Sequence, residues 1–158
     1  MDNVDLVKKR AEIEISCKNK MKNGLHWFYY IAALSLVNMI LHNTQTDGFF
    51  VAGLGITVVV DSVFSNMQNA RIIGLIVNIF IISVFVLFGK YSIKSNFIIL
   101  TGIVLYSLDT LIFFAVQDWF SFGFHIIAIF GLITGYKAKK EWESIQKLDD
   151  HNSSLKTQ

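Results

Sequence analysis

Proline is absent from all 158 residues, cysteine occurs once, and charged residues make up only 16% of the chain. Without proline, any kink in a helix must come from glycine or a local bulge. A lone cysteine, Cys17, excludes an internal disulfide and any CxxC redox or zinc module. The scarcity of charge beside 53% apolar residues and 14% aromatics excludes disorder over most of the length and points to a membrane protein. A cleavable signal is not expected either. The first apolar run begins only near Leu25, after a mixed-charge segment, and no A-x-A-like site follows it.

What charge there is lies at the ends. Residues 1–22 hold six of the fourteen bases and residues 137–158 hold five. Basic ends that abut apolar spans suit anionic lipid headgroups as partners rather than nucleic acid. Between them the apolar runs are long. Residues 97–116, FIILTGIVLYSLDTLIFFAV, would extend about 30 Å as a helix, the thickness of the hydrocarbon core. Residues 25–41, 71–88 and 119–136 make three further spans.

The stretch 48–64, GFFVAGLGITVVVDSVF, is apolar enough to span yet carries three glycines in its first half and Asp61. Counting it would put the basic ends on opposite sides of the membrane. Leaving it out puts both ends and the turn with Lys90 and Lys94 on one side, with Asp47, Asp118 and Arg71 on the other, as the positive-inside rule demands. The expectation is therefore an all-α, polytopic four-helix bundle with both termini cytoplasmic. Residues 1–24 form a basic leader with a surface helix, its apolar face made by Val4, Val7, Ala11 and Ile15. Residues 48–64 form a re-entrant or interfacial helix, and residues 137–158 a polar helical tail that frays after Asp150.

Polar residues inside the spans are expensive in lipid and count as candidate functional residues. Gly102, Tyr106 and Asp109 share one helix face by their spacing of four and three. Ser35, Asn38 and His42 make a similar stripe in the first span. Counted at 1.5 Å per residue, Asn38, Asn78, Asp109 and His125 all fall about 5 to 10 Å below the outer end of their spans. Four helices thus contribute to one buried polar layer, with Tyr106 about a turn deeper and Asp61 within reach if its segment dips inward. Asp109 with His125, on helices joined by a tight turn, is the sharpest pair. It suits a proton relay, a general base or the outer shell of a metal; the plainer reading is a polar lock that fixes which helices pack. Gly131 and Gly135 give a small-xxx-small pattern for close helix packing. His42 and His151 are expected in solvent.

At WFYYIAALSLVN, FFVAGLGITVVVDSVF and especially LYSLDTLIFFAVQDWFSFGFH the chain resembles a group of small uncharacterised bacterial four-span inner-membrane proteins, over roughly residues 25–137. That group has no established activity, so the resemblance implies a place in the inner membrane and no catalytic residue. Other resemblances are thinner. Asp61 and Asp109 in VVVD and YSLD lack the YD and GxGD motifs of aspartyl intramembrane proteases. SFGFH resembles the S-x3-H element of zinc-using membrane hydrolases, whose HxxxH element is missing. The reading is a non-enzymatic membrane protein without a cofactor. It associates through its spans with itself or another membrane protein, and moves a small solute or proton past the polar layer. The alternative is an intramembrane hydrolase or metal-dependent lipid enzyme using Asp61, Asp109 and His125.

Overall fold

Unbroken apolar runs free of proline satisfy every backbone group internally when they coil, and the chain does so wherever it can. The computed structural model describes residues 3–44, 53–65 and 70–156, and among them the only regular structure is helix. The helices are α1 (Asn3–Leu25), α2 (Trp27–Asn43), α3 (Gly55–Ser65), α4 (Arg71–Ser92), α5 (Asn96–Ala115) and α6 (Trp119–Lys156). Four stretches are long and apolar enough to cross a membrane, lying in α1–α2, α4, α5 and α6, while α3 is too short. At 11 residues α3 extends only about 16 Å, half a bilayer core.

Helices α2, α4, α5 and α6 form the bundle, and α3 inserts among α2, α4 and α5. The α1–α2 junction is almost seamless. His26 N–H donates to the Lys22 carbonyl at 2.9 Å and Tyr30 N–H to the His26 carbonyl at 3.1 Å, so the helical ladder runs through the break. α1 packs antiparallel along α6. A Cβ on Gly135 would sit only 2.9 Å from the Gly24 backbone, a spacing that admits no side chain, and farther out Cys17 reaches Glu141. The α1 face that packs is Cys17, Met21, Gly24 and Leu25, whereas Val7 and Ile15 are exposed. Apolar spacing within α1 did not identify this face, because its partner lies more than a hundred residues away. Val4 lies outside the side chains described.

The tail differs from the expected fraying. α6 runs without interruption from the span to Lys156, because α1 supports its polar half. The side chains of His42 and His151, and residues 45–52 with Asp47 and the start of the expected 48–64 segment, lie outside the described residues.

Burial is inverted relative to a water-soluble protein. Phe80, Phe97 and Phe120 are 69%, 76% and 76% exposed, whereas Ser35, Asn78, Asp109, Ser121, His125 and Lys139 are buried. A broadly apolar exterior around a core that also encloses polar and charged groups is stable in hydrocarbon and not in water. The chain is a helical membrane protein.

Candidate functional site: a capped helix end inside the bundle

The first amides of a helix have no partner within it, and in hydrocarbon no water supplies one. α3 begins inside the bundle, so its amides must be met by side chains from other helices. Ser35 of α2 accepts from Leu54 N–H at 2.8 Å and donates to the Ile31 carbonyl at 2.8 Å. Asp109 of α5 takes the next two: Gly55 N–H donates to Oδ2 and Ile56 N–H to Oδ1, both at 2.8 Å. A carboxylate at a helix N-terminus gains from both the charged hydrogen bonds and the helix dipole. Thr57 completes the turn by donating to the Leu54 carbonyl at 2.6 Å.

His125 of α6 stands behind the carboxylate, fully buried. Its ring stacks on Tyr106, centroids 4.8 Å apart at 17°, and meets Phe113 at 4.5 Å. Nδ1 lies 2.7 Å from the Ser121 carbonyl oxygen. A carbonyl only accepts, so Nδ1 carries a proton. Nε2 then faces Asp109 Oδ2 at 3.4 Å. In a neutral ring protonated on Nδ1, Nε2 presents a lone pair, and two acceptors facing each other in a site closed to water repel. Nε2 has no hydrogen-bond partner among the described residues, so a proton placed between it and Oδ2 would relieve the conflict.

The expected layer is thus two clusters joined by α3. Tyr106, Asp109 and His125 gather at its N-terminal end. Asp61 meets Asn78 farther along, where Asn78 Nδ2 donates to Asp61 Oδ1 at 2.7 Å and to the Thr57 carbonyl at 3.3 Å. Asn38 is buried beside Gly53, where a Cβ would overlap its side-chain amide. Asp61 is thus placed with Asn78, farther along α3 than the amides that Asp109 receives. Among the described residues no three His, Cys, Asp or Glu side chains form a group that would hold a metal. Gly131 and Gly135 both serve close packing, the first under the Trp27 ring and the second against Gly24.

A further buried polar group sits at the other end of the bundle. Lys139 Nζ donates to the Ser92 carbonyl at 3.1 Å, neutralising the negative end of α4, and lies 3.5 Å from Glu143 Oε1. Asn96 Nδ2 donates to Glu143 Oε2 at 2.9 Å. In the sequence Lys139 is one base of the tail among several, and nothing in KAKK separates it from the exposed Lys137 and Lys140. These contacts bring the α4–α5 turn, with Lys90 and Lys94, to the same end of the bundle as the α1–α6 pair.

The chain was compared with protein families, curated proteins and solved structures, and none matches it.

Proposed function

We propose that this is a non-enzymatic protein of a bacterial inner membrane, with both termini cytoplasmic, that passes a proton across the outer half of the bilayer through Asp109 and His125. The observation that carries the reading is the buried Asp109–His125 contact, in which Nδ1 is committed to the Ser121 carbonyl and the unpartnered Nε2 faces a carboxylate oxygen at 3.4 Å, a place for a proton to be taken up and released. α3 is the element this proton would control. Its first amides depend on Asp109, and a change in charge beneath them changes how firmly it docks. The basic end, with Lys22, Lys90, Lys94, Lys137 and Lys140, suits anionic headgroups and the cytoplasmic side. The lipid-facing apolar surface leaves room for self-association or a membrane partner.

The test is proton flux into liposomes that enclose a pH-sensitive dye. Wild-type protein is expected to dissipate an imposed pH gradient faster than empty liposomes, with Asp109→Asn and His125→Gln both returning the rate to the empty-liposome value. Equal rates for wild type and both variants would refute the proposal.

A further inference from the structure

An open cavity of about 350 Å³ lies between α3, α4 and α5, within the range of small-molecule sites. Its walls include Ile56 from α3, Phe80, Val84 and Phe85 from α4, and Leu105 from α5; among the described residues Asp109 is the only charged or polar one that lines it. The cavity thus combines a greasy wall with one buried carboxylate. We infer that it binds a lipophilic amine in its ammonium form, the alkyl part against α4 and α5 and the charged nitrogen at Asp109.

Three features carry this. The carboxylate is 94% buried yet lines the cavity, which no lipid chain complements and a cation does. Oδ1 accepts the Ile56 amide with one of its two lone pairs, and Ile56 is itself part of the wall. The cavity is also continuous with the lipid-facing surface, since Ile56, Phe80 and Leu105 are all exposed, so an amphiphile enters from the bilayer without crossing water.

The charge balance of the site rests on the proton-bearing reading of the Asp109–His125 pair. That pair with its shared proton is neutral, so an entering ammonium is balanced when the proton leaves to the medium, its charge at Oδ1 offsetting the Nε2–Oδ2 repulsion that the proton relieved. Ligand and proton then compete, and binding weakens as the pH falls. The titratable groups around Asp109 are His125 from α6, Tyr106 one turn away on α5 and Asp61 farther along α3; α4 lines the cavity with apolar residues alone.

The experiment uses full-length protein in phosphatidylcholine nanodiscs, titrated with octylamine and with octanol against empty nanodiscs, with proton release followed in weak buffer. Saturable binding of one octylamine, absent for octanol, is expected, with about one proton released per amine. Val84→Trp, which fills the cavity and leaves Asp109 in place, should weaken binding about tenfold or more, and Asp109→Asn should do the same. Octanol binding as tightly as octylamine, or Val84→Trp binding like wild type, would overturn the site. Saturable binding sensitive to Val84 but without proton release keeps the amine site and refutes the proton-bearing reading of the pair.

Discussion

Asp109 and Tyr106 lie one turn apart on α5, both buried, and they answer differently to the loss of a polar atom. The Asp109 oxygens each hold an amide that has no alternative in hydrocarbon. In Asp109→Asn one oxygen still accepts, but the amide nitrogen would face a second N–H, donor against donor. A buried donor left without a partner costs about 1–3 kcal/mol. The Tyr106 hydroxyl, by contrast, is buried without a hydrogen-bond partner. Tyr106→Phe therefore removes a desolvated group and keeps the ring that stacks on His125. Unfolding in mixed micelles should show Asp109→Asn less stable by that amount and Tyr106→Phe equal to wild type or more stable by up to about 1 kcal/mol. A large loss in Tyr106→Phe would mean that the hydroxyl holds a water or ligand of its own. The meeting of Asp109 with His125 was legible in the sequence because both lie at a countable depth on adjoining antiparallel helices. That Asp109 also caps α3 was not, because its partners there are backbone amides, which carry no residue-type signal.

At the scale of elements, the turn between α5 and α6 shows one residue closing a helix and opening the next. Gln117, at φ 60°, adopts the left-handed conformation that ends α5. Asp118 N–H then donates to the Phe113 carbonyl at 3.0 Å and Gln117 N–H to the Phe114 carbonyl at 3.2 Å. The Asp118 side chain caps α6, accepting from Ser121 N–H at 3.1 Å and from the Ser121 hydroxyl. The Ser121 hydroxyl bond holds this carboxyl below its ordinary value; burial opposes it, and the Ser121 and Phe120 amides add to the lowering. The sign follows from that lowering. The cap contributes its full stability above the unfolded carboxyl value of about 3.9 and loses it as the pH falls through the lower folded value. Asp118→Ala should thus cost about 1 kcal/mol at neutral pH, a typical capping loss. The difference from wild type should shrink below about pH 4. A difference that stays constant across that range would show that the side chain acts by packing and not by charge. The short turn itself was readable from Gln117 and Asp118 between two apolar runs. The role of Ser121 was not, since a serine three residues into a span reads equally as half of a pair with His125.

At the scale of the whole molecule, the four spans were the most legible feature, because length and composition alone select them. The pairing of α1 with α6 was the least legible, because the Gly131 and Gly135 pattern marks a close-packing face on α6 without naming its partner, and Gly24 on α1 is a lone glycine with no strong sequence context. That contact has a reporter already built in. Cys17 is the only cysteine, and it is 4% exposed where α1 lies along α6. Gly135→Leu places a branched side chain where a Cβ alone would lie 2.9 Å from the Gly24 backbone, and α6 is too tightly packed there to yield. The helices must separate, and Cys17 with them should open to solvent. Maleimide labelling of native membranes should therefore be slow in wild type and clearly faster in Gly135→Leu, while Gly123→Leu, at an α6 position with nothing near its Cβ, labels like wild type. Because α1 continues into α2 almost without a break, loosening this pair also loosens Ser35 and, through it, the N-terminal end of α3. Equal labelling in all three proteins would mean that α1 does not depend on the glycine contact. The link from the basic end of the molecule to its polar layer would then have to run through Lys139 and α4 instead.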